Sequence, residues 1–237
     1  MKVPLIRFLC LLCLNVLPAA AFAQTCTFGA TNLTFSGSPI SGAAINGMST
    51  ITANCSGLLG LGRKVLVCPN LNEGSGGATA AARRMLSGAN ILNYQLYQDS
   101  ARQIVWGSPT WPYPARAPGF LVEFTTILSP LLGSGTNSVT LYGRVLANQT
   151  TAPVGTYLST FSGAQAPFRY RYDDGLGCNA ASGTSGSPPA FNVSLMTVKD
   201  CLVSAQNINF GSHGVLGANL DQTGQVTVTC SPTTPYA

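Results

Sequence analysis

The feature that most restricts the fold is an internal repeat. The stretches CTFGATNLTFSGSPISGAAINGMSTITANC, Cys26 to Cys55, and CLVSAQNINFGSHGVLGANLDQTGQVTVTC, Cys201 to Cys230, share a 29-residue cysteine spacing and align without a gap. At a constant offset of 175, Ala30 meets Ala205, Asn32 meets Asn207, Leu33 meets Ile208, Phe35 meets Phe210, Gly42 meets Gly217, Ile45 meets Leu220 and Thr52 meets Thr227. Self-similarity at a fixed offset marks a duplicated structural unit. The copies differ on their C-terminal side: a long run of strand-like sequence comes after Cys55, and seven residues come after Cys230.

The opening MKVPLIRFLCLLCLNVLPAAAFAQ carries Lys2 and Arg7, an apolar run from Phe8 to Leu17, and Ala21-Phe22-Ala23 as a small-residue cleavage site. This is the pattern of a secretory signal peptide over residues 1–23. A membrane anchor needs about 20 apolar residues, and Asn15 and Pro18 break this run. No later stretch is apolar and long enough to span a bilayer, and no lipobox precedes Cys26, so the mature chain from Gln24 is expected to be soluble and exported.

Cleavage removes Cys10 and Cys13 and leaves Cys26, Cys55, Cys68, Cys178, Cys201 and Cys230. An even number in an exported chain favours disulfides, with 15 pairings open to six cysteines. Equal spacing in the two copies argues for Cys26 with Cys55 and Cys201 with Cys230, leaving Cys68 and Cys178 as a candidate third pair. Zinc is the competing use, but the mature chain has no C-x-x-C spacing and His213 is the sole histidine.

Between clusters of Gly, Pro, Asn, Asp and Ser run short β-type segments: NLTF, STITANC, KVLVC, ILNYQLYQ, RQIVWG, GFLVEFTTIL, NSVTLYGRVL and GTYLSTF. ILNYQLYQ and RQIVWG read as a hairpin joined through Asp99-Ser100. Strands at this spacing predict an all-β antiparallel sandwich. The alanines of GATAAARRMLSG favour a short turn of helix, with an irregular connection as the equal alternative. GLGCNAASGTSGSPPA reads as a linker or a long edge excursion. In FNVSL, Phe191, Val193 and Leu195 alternate with Asn192 and Ser194, a half-buried strand leading into the second copy.

The resulting division is a leader at 1–23, a first domain at 24–189, a connecting strand at 190–200 and a second unit at 201–237. Two strands and a disulfide bury no core alone. Residues 201–237 therefore read as the start of a truncated domain, the alternative being a short tail folded against the first.

Charged residues are 8% of the chain and hydrophobic residues 46%, enough to bury a core. Without the leader, ten Lys and Arg stand against seven Asp and Glu. That balance is too weak and scattered for a nucleic-acid footprint. Arg63-Lys64, Arg83-Arg84 and Arg169-Tyr170-Arg171 read as solvated strand or loop faces. No nucleophile, phosphate-loop, dinucleotide or zinc-protease motif occurs. His213 reads as a surface turn, and Asp173-Asp174 as a turn before Gly175 with too few oxygen ligands for a metal. Asn32-Leu33-Thr34, Asn148-Gln149-Thr150 and Asn192-Val193-Ser194 match a glycosylation sequon as strand segments do by chance. No catalytic residue, cofactor or metal is expected.

CTFGATNLTF and CLVSAQNINFGS, with LDQTGQVTVTC, resemble the opening of the spore coat protein U domain. RRMLSGANILNYQLYQDSARQIVWG followed by VTLYGRVLANQTTAPVGTY is similar to its later half, in family order. The family is similar to subunits of archaic, Csu-type chaperone-usher pili. The resemblance implies an incomplete immunoglobulin-like sandwich, exported through the periplasm, held by a pilus chaperone, passed to an outer-membrane usher, and completed by a donor strand from an adjacent pilin. Two-domain members look like tip adhesins and single-domain members like shaft pilins. NLTFSGSPI lacks the Gly-Ser pair that NFGSH keeps, His213 stands where the family usually has an aromatic, and Cys68 and Cys178 look like additions.

Cys26 is only the third residue after the expected cleavage, so little chain remains to donate to a neighbour, as befits a tip subunit. The donor strand for the first domain is expected within the same chain at Phe191, Val193 and Leu195. Three loops carry apolar residues where turns are normally polar: SGLLGLG with Leu58, Leu59 and Leu61, SPTWPYP with Trp111 and Tyr113, and LSPLLGSG with Leu128, Pro130, Leu131 and Leu132. Gathered at one pole, they would make an apolar contact surface. The leading expectation is a pilus-tip adhesin binding abiotic or other apolar surfaces in biofilm formation. The alternative is a structural pilin or surface-coat subunit without its own binding site.

Overall fold

The computed structural model describes residues 24–58, 63–109, 117–129, 132–178, 183–232 and 234–235, with backbone only for residues 58, 126–129 and 132. Its strands are β1 (Thr25–Ala30), β2 (Leu33–Phe35), β3 (Ile45–Leu58), β4 (Lys64–Cys68), β5 (Arg83–Ser87), β6 (Asn90–Tyr97), β7 (Phe120–Glu123), β8 (Thr125–Ser129), β9 (Leu132–Val145), β10 (Gly155–Phe161), β11 (Arg169–Tyr172), β12 (Thr184–Ser185), β13 (Phe191–Thr197), β14 (Cys201–Ala205) and β15 (Val226–Cys230). Short 3-10 turns stand at Pro39–Ser41 and Gly163–Gln165.

The architecture is an all-β, immunoglobulin-like sandwich whose pairings are antiparallel except where β13 meets β2. A nine-stranded sheet runs β1-β3-β9-β6-β5-β10-β13-β2, with β8 also paired to β9, and a four-stranded sheet runs β12-β11-β4-β7. The large sheet curls until its last strand, β2, packs onto its early strands. Gly47 and Gly143, register partners across β3 and β9, make the closure possible. A Cβ on Gly47 would lie 2.9 Å from the Phe35 ring, and one on Gly143 would lie 2.8 Å from Leu33. Only a bare backbone lets β2 approach this closely.

The alternation read in the sequence is the alternation that packs. KVLVC is β4 and GTYLSTF is β10, each bounded as its turn residues dictate. On β10, Tyr157, Ser159 and Phe161 point inward, and on β13 Phe191, Val193, Leu195 and Thr197 do the same. Tyr157, Phe161, Phe191, Val193 and Leu195 join Leu33, Ile51, Leu92, Tyr94, Trp106 and Leu141 in the main core. A second cluster, Cys26, Ala53, Cys55, Val65, Val67, Val122 and Tyr170, lies between the two sheets.

Several segments sharpen the sequence reading, and two take the alternative it left open: an irregular connection at the alanine run and an edge excursion around Cys178. The alanine run forms no helix: Gly77 sits at φ +71°, Thr79 Oγ1 accepts from the Ala82 amide at 3.2 Å, and Arg83 opens β5. Helix propensity distinguishes residues by about 0.7 kcal/mol at most outside Gly and Pro. That preference yields to a strand that turns Arg83 and Met85 inward. GFLVEFTTIL divides at Phe124 into β7 and β8, which belong to different sheets. The reversal after β6 is a reduced hairpin, with one Tyr97–Val105 bridge and Asp99 accepting from the Gln103 and Ile104 amides. The segment around Cys178 is an edge excursion whose β12 pairs with β11.

Among the described residues three disulfides form, Cys26–Cys55, Cys68–Cys178 and Cys201–Cys230. The repeated units share one register. Cys26 faces Cys55 and Ala30 faces Ile51 across β1 and β3; Cys201 faces Cys230 and Ala205 faces Val226 across β14 and β15.

Candidate functional site

The most developed feature is the slot occupied by β13. One edge of β13 pairs antiparallel along the whole of β10, from Gly155↔Thr197 to Phe161↔Phe191. The other edge pairs in parallel with β2, setting Val193 against Leu33 and Leu195 against Phe35. Phe191 is 2% exposed and Val193 and Leu195 are fully buried. The rings of Phe191 and Phe161 stack at 5.0 Å. Burial of such side chains is worth about 1.5–3 kcal/mol each. Polar groups fix the register: Asn32 Oδ1 accepts from the Asn192 amide at 2.9 Å, Thr160 Oγ1 donates to Asn192 Oδ1 at 2.9 Å, and Thr197 Oγ1 donates to the Pro153 carbonyl at 2.9 Å. Asn32 and Asn192, noted as sequon residues, thus serve the sheet.

The apolar loop residues fall at the margins of the described chain. Leu59, Leu61, Trp111, Tyr113, Pro130 and Leu131 lie outside the described residues, and Leu58, Leu128 and Leu132 are placed by backbone alone. The strand ends that carry them are informative. Leu58 closes β3 opposite Leu132, which opens β9, and Ser129 at the end of β8 also pairs with Leu132. The flanks of the first and third loops are therefore neighbours. The second loop rejoins the fold at Ala117, ahead of Phe120, which pairs with Val67, whereas Glu123 pairs with Lys64. Its return flank thus opens at the Cys68 end of β4, and the first loop enters at the Lys64 end.

The sequence reading missed a buried polar knot. Arg83, expected on a solvated face, is fully buried. Its Nε donates to the Asn72 carbonyl at 2.7 Å, and Nη2 to the Leu71 and Trp106 carbonyls at 2.9 and 2.8 Å. Nη1 donates to Gln95 Oε1. Trp106 Nε1 donates in turn to the Pro69 carbonyl at 2.7 Å. The guanidinium holds the segment after β4 against the segment that leads toward Trp111. Arg83 and Met85 share the inward face of β5, but apart from Gln95 the partners are backbone carbonyls elsewhere in the chain, which no local pattern shows.

The remaining polar candidates make turns. Arg171 Nε and Nη2 donate to Asp174 at 2.9 and 3.0 Å; this pairing, with the Leu176 amide, holds the Asp174 carboxyl below its usual range. Asp173 accepts from the Gly175 amide. His213 is exposed, with Nε2 against the Phe210 carbonyl. Burial raises the Tyr157 phenol, which donates to the Pro153 carbonyl at 3.0 Å. Among the described residues no group of three His, Cys, Asp or Glu is placed to hold a metal ion, and no helix is long and apolar enough to cross a membrane.

Comparison with known families returns the Spore Coat Protein U domain, matched over residues 11–163 and 188–237. No curated protein matches the sequence. Among solved structures, the crystal structure of the CsuC–CsuE chaperone–tip adhesion subunit pre-assembly complex, from archaic chaperone-usher Csu pili of Acinetobacter baumannii, is similar at 15% identity and a TM-score of 0.44. The match covers 89% of this chain and 72% of that one.

Proposed function

The chain belongs to the Spore Coat Protein U domain family, and from that premise we propose that it is an exported pilus subunit of the chaperone-usher kind, acting at the tip as an adhesin. The leader at 1–23 directs export, and a periplasmic chaperone and an outer-membrane usher carry the subunit to the cell surface. The observation that carries this reading is β13. It fills the slot between β10 and β2 with alternating apolar residues, the geometry of an added donor strand. Here that strand comes from the same chain, so the first domain needs no neighbour to fill this slot, and the adjacent pilin is left as a partner for the second unit.

The first domain is then free to make contact with a surface. The loops carrying Leu58, Leu59 and Leu61 and Leu128, Pro130, Leu131 and Leu132 leave strand ends that pair with each other. They form the apolar contact region, with Trp111 and Tyr113 as its outlying members. Apolar area buried against a surface contributes about 25 cal/mol per Å² before losses. The test replaces Leu59, Trp111 and Leu131 together with Ser in the piliated organism and measures attachment to hydrophobic and hydrophilic surfaces. Loss of hydrophobic attachment with normal piliation is expected. Unchanged hydrophobic attachment with normal piliation contradicts the adhesin reading and leaves a structural subunit.

A further inference from the structure

Gln24 stands directly after Ala21-Phe22-Ala23 and directly before Thr25, which pairs with Ser56 at the start of β1. Leader removal at that bond makes Gln24 the first residue, with its α-amine free. An N-terminal glutamine carries its own electrophile, because the side-chain carboxamide lies at the right length for the α-amine to close a five-membered lactam.

The structure gives this end a defined setting. Two residues on, Cys26 is tied to Cys55, so the terminus cannot drift far from β3. Gln24 is half-buried beside Gly57; a Cβ on Gly57 would lie 3.0 Å from Gln24 Cα and 3.6 Å from the Tyr172 hydroxyl. The missing side chain at position 57 leaves the room that a compact terminal group occupies. Gln24 Oε1 is buried with no hydrogen-bond partner among the described residues, so no hydrogen bond through that oxygen holds the side-chain amide away from the α-amine. A lactam presents one N–H and one carbonyl in place of an amide and an ammonium.

Charge points the same way. The Arg63 guanidinium stacks over the Tyr172 ring at 5.2 Å, and Lys64 and Asp173 line the same cleft. Lys64 is paired with Glu123 at this end, and an α-ammonium would add one further cation there. It also puts that charge one residue along β3 from Leu58, at the end where the proposed apolar contact forms, and burying a charge opposes such contact.

We infer that Gln24 is a modification site, converted after leader cleavage to an N-terminal pyroglutamate. The α-amine attacks Cδ, the N–Cδ bond forms, the Cδ–Nε2 bond breaks, and Nε2 leaves as ammonia with a proton from the amine. No oxidant or co-reactant is consumed. The product is uncharged, resists aminopeptidases and removes one positive charge from the end of the sandwich. The inference rests on the export reading.

The test exports the full chain with its own leader, recovers it from the periplasm, and reads the N-terminal peptide by mass spectrometry beside a synthetic open-glutamine peptide of the same sequence. A start at residue 24, one ammonia lighter than the open form while the standard stays open, is expected; Gln24→Ala should be cut at the same bond and show no deficit. A start at Gln24 with a free amine overturns the modification and leaves the export reading standing, as does a deficit that persists in Gln24→Ala or appears equally in the standard. A retained leader, or a cut elsewhere, overturns both.

Discussion

The two copies of the repeat have the same cysteine spacing and strand register, and opposite surroundings. Leu33, Phe35, Ile51 and Ala53 are 0–2% exposed in the first copy; their counterparts at the same offset, Ile208, Phe210, Val226 and Val228, are 50%, 48%, 66% and 41% exposed. The disulfide and the ladder of β14 and β15 are in place, and the burial is not. Forming the strand pair is therefore a local event that the repeat encodes. Burying its apolar face depends on later elements, and in the first copy these include β9 beside β3 and β13 beside β2. The comparison shows why β13 matters: it is the last strand of the large sheet in chain order, and it lies outside the repeat that it covers.

The largest expected effect comes from removing that cover. A chain cut after Ala190 loses three buried anchors, worth about 1.5–3 kcal/mol each, and both ladders of β13. For a domain with about 5–15 kcal/mol of total stability this should abolish cooperative unfolding, as read by thermal denaturation followed by circular dichroism. A peptide of residues 191–198 added in trans should restore a transition. An unchanged melting temperature without chaperone contradicts the role of β13.

Matched substitutions sharpen the comparison. Leu33→Ala should cost about 2–5 kcal/mol, as expected for a fully buried leucine, whereas Ile208→Ala at the matching position should cost under about 1 kcal/mol. Denaturant titration of both variants decides the matter, and equal losses would mean that the second copy is covered in solution.

Arg83→Met should cost about 3 kcal/mol, since it leaves the Leu71, Asn72 and Trp106 carbonyls without their donor. Arg83→Lys, with three donors on a flexible stem, should recover part of that loss. A Met variant as stable as the parent would show that the knot contributes nothing.

The smallest effect is kinetic. Cys26 and Cys55 are only 5% and 2% exposed, whereas Cys201 and Cys230 are half-buried. Under graded reductant with thiol mapping, Cys201–Cys230 should open first. Opening of Cys26–Cys55 ahead of it would reverse the assigned order of protection.

Much of this fold was legible wherever information is local. KVLVC and GTYLSTF are bounded by turn residues and match β4 and β10, and the equal cysteine spacing matches the shared register. The hidden part is long-range. The alanine run before β5 favours helix locally, yet Arg83 and Met85 must face a core built from residues far along the chain. Arg83 looks like a surface charge because its partners are main-chain carbonyls that carry no sequence signature. Residues 164–187 lie between the two matched family segments, yet β11 pairs with β4 and Cys178 is tied to Cys68, contacts that only the folded arrangement displays. For the apolar loops the sequence supplies residue type, and strand pairing supplies the proximity of Leu58 and Leu132.

Amide hydrogen exchange on the intact chain tests the central claim most directly, because it reads both copies in one sample. If β13 completes the first domain and the second copy stands open, amides of residues 191–197 and 51–55 should exchange only at the rate of global unfolding, and those of 201–205 and 226–230 orders of magnitude faster. Equal protection of the two copies, or fast exchange across β13, would contradict the account.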